Sequence, residues 1–183
     1  MTLPEIIKTE RLLLRPFTFK DTDDVYGYAK HPDWSRYLPV PNPYTLYDAE
    51  RFIALRKLDD PTKENVWALE YEGKAVGGIN LRAKAEKHAI CELGWSISQP
   101  NWGKGLMTEA VKTIRDTTFL RFPELHRLYA RADLRNIGSW RVMEKVGMQR
   151  EAVLRQHVNL KGEWMDEVWY AILRPEWEQL NIT

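Results

Sequence analysis

The stretch Gln99-Pro100-Asn101-Trp102-Gly103-Lys104-Gly105-Leu106-Met107-Thr108-Glu109-Ala110 decides the reading of this chain. It stands between an alternating apolar pattern, expected for a strand, and a pattern with helical spacing. Gly103 and Gly105 can take backbone angles that a side chain would forbid, so successive N–H groups can turn toward one ligand. A helix beginning near Leu106 adds the positive end of its dipole, and the combination makes a seat for phosphate oxygens. The competing reading is a plain strand-to-helix turn carrying a surface lysine, and the rest of the chain decides between them.

Two nucleotide loops are excluded by spacing. A P-loop requires Gly-x-x-x-x-Gly-Lys-Ser/Thr and a dinucleotide fold requires Gly-x-Gly-x-x-Gly, whereas Gly103-Lys104-Gly105 is followed by Leu-Met-Thr. A second segment, Asn136-Ile137-Gly138-Ser139-Trp140-Arg141-Val142-Met143-Glu144-Lys145-Val146-Gly147-Met148, is bounded by a favourable N-cap and a favourable C′ glycine. These ends enclose a helix of about three turns whose N-terminus can face a ligand.

Trp102 to Met107 resembles the pyrophosphate loop of the GNAT acetyltransferases, Arg/Gln-x-x-Gly-x-Gly/Ala, with Trp102 at the Arg/Gln position and Met107 replacing the usual small residue. Trp-Gly-Lys-Gly followed by Thr-Glu-Ala is similar to the RimJ/RimL branch, which acetylates protein N-termini and assorted small amines. The Asn136 to Met148 segment resembles that branch's Asn-x-x-Ser…Glu-Lys-x-Gly-Phe motif. Thr9 to Pro16 resembles its first strand, and Val168 to Trp177 its last strand and closing helix.

The resemblance therefore covers nearly the whole chain. It implies a single GNAT domain over residues 1–183, an α/β (α+β) fold with a mixed, mostly antiparallel sheet of six to seven strands and helices on both faces, and acetyl-CoA as co-substrate. It further implies a coenzyme site made of Trp102, Gly103, Lys104, Gly105, Leu106, Met107 and Thr108, together with Asn136 and Ser139. Backbone N–H groups near Trp95 to Ile97 are implied as the oxyanion donor, with Gly94 permitting a bulge where the strand parts from its neighbour.

Composition is consistent with this. A chain of 183 residues with 44% hydrophobic and 11% aromatic residues falls in the one-domain range and can bury a sizeable core. A formal charge of +1 and a pI near 7.8 give no strong field for nucleic acid or an anionic membrane. The N-terminus lacks a charged start followed by an apolar stretch, and no run approaches the ~20 apolar residues of a membrane span, so a cytoplasmic protein is expected. Cys91 is the single cysteine and lies in an apolar strand pattern, which suits a buried space-filler. His31, His88 and His126 are not grouped at ligand spacing, and no metal is expected.

The periodicities give a strand near 10–17 and a helix opening at Asp21-Thr22-Asp23-Asp24 and halting before Pro32. A second helix spans about 45–59. Between them, Asp33 to Tyr44 is interrupted by prolines and reads as a shaped loop without regular structure. Strands near 65–72 and 74–82 join in a hairpin at Glu72-Gly73-Lys74, with Gly77-Gly78 suggesting a bulge. A strand near 88–98 follows. A helix with Met107, Ala110, Val111, Ile114 and Thr118 inward comes next, then a strand over 127–133 and two closing strands.

Acetyl transfer from a thioester to an amine requires a neutral amine, a stabilised oxyanion and a stabilised thiolate. A free alkyl amine has a pKa of roughly 10, so a base should help remove its proton. Glu92, in the otherwise apolar Cys91-Glu92-Leu93-Gly94-Trp95, is the first candidate, and a cross-strand ion pair is its structural alternative. His157 is the runner-up, since imidazole suits the task. By the resemblance, Ser139 hydrogen-bonds the thiolate. Trp34, Tyr37 and Tyr44 are the candidate acceptor-binding rings, held by a proline-rich loop. The expected partner is an amine acceptor, either a protein N-terminus or a small molecule, with a homodimer left open. A GNAT-shaped module that binds acyl-CoA without turnover is the alternative function, and a tryptophan-rich carbohydrate or peptide platform is a third.

Overall fold

The computed structural model describes residues 2–84 and 89–180, and His88 lies outside them. Eight strands form one sheet in the order β1-β2-β3-β4-β5-β6-β8-β7. They are β1 (Ile7–Lys8), β2 (Leu13–Arg15), β3 (Glu64–Tyr71), β4 (Lys74–Ala83), β5 (Ile90–Ile97), β6 (Arg127–Asp133), β7 (Gln149–Leu160) and β8 (Glu163–Leu173). Among the described residues six α-helices accompany them: α1 (Thr22–Ala29), α2 (Pro32–Ser35), α3 (Leu46–Arg56), α4 (Leu106–Arg121), α5 (Ile137–Lys145) and α6 (Arg174–Leu180). Every pairing is antiparallel except β5 with β6.

Alternate residues of β3 divide the core between the two faces of the sheet. Trp67 and Leu69 pack with Leu106, Ala110, Val111 and Ile114 of α4, whereas Ala68 packs with Phe17, Val25, Tyr28 and Ile53 around α1 and α3. Burying a leucine or isoleucine of this kind contributes about 1.5–3 kcal/mol, and the apolar stripe of α4 supplies several such residues in one helix. Among the described residues no helix is long and apolar enough to cross a membrane.

The strand count exceeds the expected six to seven by one. The strand expected near 10–17 is shortened to β2 and an unexpected β1 precedes it, because Thr9 N donates to the Leu12 carbonyl at 2.9 Å and Leu12 N to Thr9 Oγ1 at 2.9 Å, turning the chain between them. The loop before α3 is also more regular than expected. Pro32 occupies the first position of α2, where its fixed φ and missing N–H cost nothing. Helix α3 starts at a Thr45/Asp48 capping box.

The hairpin turn is at Glu72-Gly73, both at positive φ (52° and 77°). The bulge lies beside Gly77: Leu69 opposes Gly77 and Glu70 opposes Ala75, leaving Val76 unopposed. No bulge occurs at Gly94, where β4 and β5 stay in register from Gly77↔Ile97 to Ala83↔Cys91. Gly94 instead leaves room for Asn80, whose Oδ1 would lie 2.6 Å from a Cβ placed there and would have to shift.

Candidate active site

The glycine loop is shaped from both sides. Gly103 and Gly105 have φ of 73° and 78°, the left-handed region that a Cβ opposes, and Gly105 is the N-cap of α4. The Trp102 N–H returns to the Gln99 carbonyl and the Glu109 N–H to the Gly105 carbonyl. Between them, no backbone N–H from Gly103 to Thr108 has an acceptor among the described residues; those of Leu106 to Thr108 belong to the first turn of α4, which always leaves such donors, and Gly103 and Lys104 extend the row. On the outside, Arg11 Nη1 donates to the Lys104 carbonyl at 2.9 Å and Arg11 Nε to Glu109 Oε2 at 2.7 Å. Glu109 Oε1 also accepts from Thr9 Oγ1 at 2.5 Å and from Arg11 N at 2.8 Å.

Helix α5 supplies the second wall. The Asn136 side chain accepts from Ser139 N at 3.3 Å, as an N-cap should. The other end closes in a full Schellman motif, with Met148 N on the Met143 carbonyl and Gly147 N on the Glu144 carbonyl, each at 3.0 Å. Gly147 has φ of 82°.

The third wall is an opening in the sheet. β5 pairs with β6 only at Ile90↔Arg127, Cys91↔Leu128 and Glu92↔Tyr129. From Leu93 onward the two parallel strands separate, while β5 remains fully paired with β4. The β5 edge near Trp95 to Ile97 therefore faces a gap rather than a strand. Trp102 Nε1 donates to the Ile97 carbonyl at 2.8 Å and ties the glycine loop to this edge.

These walls enclose a cavity of about 570 Å³. Trp95, Ile97, Trp102, Gly103, Gly105, Leu106, Met107, Thr108, Asn136 and Ser139 line it, as do Trp34 and Tyr37 from the α2 segment. The two sequence motifs thus meet across one cavity. Four expected residues, in three groups, do not line it. Lys104 turns its ammonium to Asn101 Oδ1 at 3.1 Å and over the Tyr71 ring, so only its backbone N–H belongs to the loop. Tyr44 is buried edge-on against Trp34, with centroids 6.1 Å apart.

The third group outside the lining is the pair of candidate bases. Glu92 is 8% exposed, and it accepts from Arg131 Nε at 2.8 Å and pairs with Lys84 Nζ at 2.6 Å. Burial alone pushes its carboxyl upward, but Arg131 and Lys84 outweigh that and hold it below the ordinary 4.5. Arg131 Nη1 also donates to Glu167 at 2.9 Å, and its guanidinium lies over the Trp169 ring. Trp169 Nε1 donates to Glu167 Oε2, and His157 Nε2 lies 3.8 Å from that same oxygen. The chain of charges Lys84–Glu92–Arg131–Glu167 with His157 at its end is therefore one network across five strands or their ends.

Sequence reading missed Arg11 as the brace behind the glycine loop, and Lys84, Arg131 and Glu167 as the residues that link Glu92 to His157. Period-two alternation puts Arg131 on the face opposite Leu128 and Ala130, but partners on other strands depend on sheet order, which alternation does not carry.

A family model for the acetyltransferase (GNAT) domain matches residues 11–149. The chain belongs to the GNAT acetyltransferase family. It is 37% identical over 172 residues to the uncharacterised N-acetyltransferase YnaD of Bacillus subtilis, covering 93% of this chain and 98% of that protein. It is 33% identical over 108 residues to the ribosomal protein uS5-alanine N-acetyltransferase of Escherichia coli, covering 58% of this chain and 55% of that one. A GNAT-family acetyltransferase structure from Bacillus anthracis superposes with a TM-score of 0.81 at 32% identity, over 93% of this chain and 99% of that chain. This GNAT protein is an acyltransferase, and its mixed sheet is the fold of the family.

Proposed function

We propose that this GNAT enzyme transfers an acetyl group from acetyl-CoA directly to a primary amine. The observation that carries the reading is the meeting of the unpaired N–H groups of Gly103 to Thr108 with Ser139 across one cavity along the separated edge of β5. The donor set fits the coenzyme: a loop of free amides and a helix N-terminus for pyrophosphate, and a gap between strands for an extended arm. When bound, acetyl-CoA supplies the activated acyl group.

The protein's own groups do the rest. The N–H groups along Trp95 to Ile97 receive the charge that grows on the acyl oxygen as the amine nitrogen bonds to the carbonyl carbon. The Ser139 hydroxyl, which has no other partner among the described residues, donates toward the sulfur as the carbon–sulfur bond breaks. His157 takes the amine proton, through water; its Nε2 lies 3.8 Å from Glu167 Oε2, at the end of the charge network. Glu92 is the weaker candidate, because both its oxygens are engaged by cations that keep it ionised and a poor proton acceptor. Its role is to fix Arg131.

The acceptor is a protein N-terminal amine or a small-molecule amine. The uS5-alanine enzyme among the relatives supports the former. Release of free thiol from acetyl-CoA, measured against N-terminal peptides and small amines, tests the reading. Release with no amine in the panel would remove direct transfer to an amine. Retained pH dependence and rate in His157→Gln, with loss of both in Glu92→Gln, would return the base to Glu92.

A further inference from the structure

The cavity wall contributed by α2 and the residues after it is charged in a way that acetyl-CoA does not require. Asp33 and Arg36 both line it, three residues apart. Neither has an oppositely charged partner among the described residues, and they are not paired with each other. The other guanidiniums on the lining are committed elsewhere: Arg135 to Asp133 and Glu163, and Arg141 to Glu144. Lys145 also lines the cavity, from the C-terminal end of α5.

The segment that presents Arg36 is firmly held. Ser35 is 2% exposed, and its carbonyl accepts from Lys161 Nζ at 2.8 Å, tying α2 to the turn between β7 and β8. Trp34 is wedged between Tyr28 and Tyr44, at 5.2 and 6.1 Å between ring centroids. Its indole N–H is sealed from solvent and finds no acceptor among the described residues, an omission that ordinarily costs stability. This wall thus offers one free guanidinium and one free carboxylate.

The network on the neighbouring strands offers nothing comparable. Glu92 and Glu167 are neutralised by Lys84 and Arg131, so they leave no free carboxylate for a polycation. We infer that the acceptor is a zwitterion: a primary amine whose molecule also carries a carboxylate or phosphate, with Arg36 binding the anion and Asp33 attracting the ammonium before its proton is lost. The inference rests on the acetyl-transfer reading and narrows its acceptor class. Arg36 is well suited to the task, since its planar fork matches carboxylate and phosphate oxygens.

The test compares acceptors of matched shape. Amino acids are run against their carboxamides, phosphoethanolamine against ethanolamine, and spermidine as a polycation, reading thiol release under saturating acetyl-CoA. The expected result is a preference of roughly ten- to hundred-fold in kcat/KM for the anion-bearing partner of at least one pair, the size of one charge-assisted contact. The first pair responding assigns a carboxylate, the second a phosphate. Arg36→Gln should bring that ratio close to one while the acetyl-CoA KM stays within about two-fold, and Arg36→Lys should restore part of it.

Equal kcat/KM within both pairs, or faster reaction of spermidine, overturns the proposal. So does an Arg36→Gln protein whose acetyl-CoA KM rises while the ratio is unchanged, which would give Arg36 to the coenzyme phosphates. Calorimetry of the same amines on coenzyme A-bound protein separates the two levels. Arg36-dependent binding without turnover keeps the zwitterion site and removes acetyl transfer to these amines. Absence of both turnover and Arg36-dependent binding overturns the zwitterion site.

Discussion

Arg11 holds Glu109 by two hydrogen bonds, one from its backbone N–H at 2.8 Å and one from its Nε at 2.7 Å, although 98 residues separate them. The same arginine draws the Lys104 carbonyl outward. The glycine loop is therefore braced from behind, and its N–H groups are left to face the cavity. Glu109→Ala removes the acceptor for Thr9 and Arg11 together. It should weaken acetyl-CoA binding by about tenfold without touching a cavity-lining residue, read by calorimetry. Unchanged affinity would mean that the glycines hold the loop unaided.

Gly105→Val addresses the loop itself. At φ of 78° a branched residue is strained, so the loop should lose the conformation that exposes its N–H groups. Acetyl-CoA at a hundred times its Kd should stabilise the wild type by about 2.7 kcal/mol, seen as a rise in Tm, and the variant should lose most of that rise. Equal stabilisation by pantetheine alone, with none from coenzyme A, would show that phosphate is not what the loop binds.

Ser139→Ala should lower kcat while leaving coenzyme A affinity within several-fold, because its hydroxyl is used chiefly as charge develops on sulfur. Single-turnover kinetics, where chemistry limits the rate, check this. An unchanged rate there removes Ser139 from the reaction.

Trp34 and Tyr37 should behave differently from each other. Trp34 packs between two buried tyrosines, so Trp34→Ala should cost about 3–5 kcal/mol of stability and disturb both substrates. Tyr37 lines the cavity beneath the Arg135 guanidinium, at 5.9 Å, and Tyr37→Ala should raise the acceptor KM well above its effect on acetyl-CoA. Melting temperatures with both KM values separate the two. A Tyr37→Ala protein that is destabilised with no selective acceptor defect would make the ring part of the core.

Acid should unfold the protein through its anchored carboxylates. Burial raises Asp21, Glu92 and Glu109, but Arg15, Arg131 with Lys84, and Thr9 with Arg11 outweigh it and hold all three below their ordinary values of 3.8 for aspartate and 4.5 for glutamate. A folded value below the unfolded one means that the unfolded chain takes up protons first as pH falls. The stabilisation is fully present above about pH 5 and is lost as pH drops through the depressed folded values. Glu92→Gln should flatten part of that decline, measured as denaturation midpoint against pH between about 5 and 2.5. An identical slope in the variant would show that Glu92 is as strongly held in the unfolded chain.

The parts of the site that were legible in the sequence are those written locally. Asn136, Gly147, Gly103 and Gly105 announce caps and turns because their chemistry acts on their own backbone. The alternation of β3 and the spacing of α4 announce the two faces of the core. What stayed hidden depends on who pairs with whom across the sheet. Glu92 reads equally well as a base or an anchor until β6 is seen beside β5 and Arg131 beside Glu92. Arg11 shows no sign of its task until Glu109 arrives from a helix nearly a hundred residues later. The turn at α2 was obscured by its prolines, of which Pro32 starts a helix rather than preventing one.

The separation of β5 from β6 has a consequence for how this protein can be altered. The gap is cut by the main chain going out of contact, so it offers an engineer no side chain whose replacement would close it. The wall formed by Asp33 to Leu38, by contrast, is made of side chains on a segment tethered at Ser35. New acceptors should be reachable by rewriting Asp33, Arg36 and Tyr37 while Trp34 and Ser35 are left in place to hold the segment.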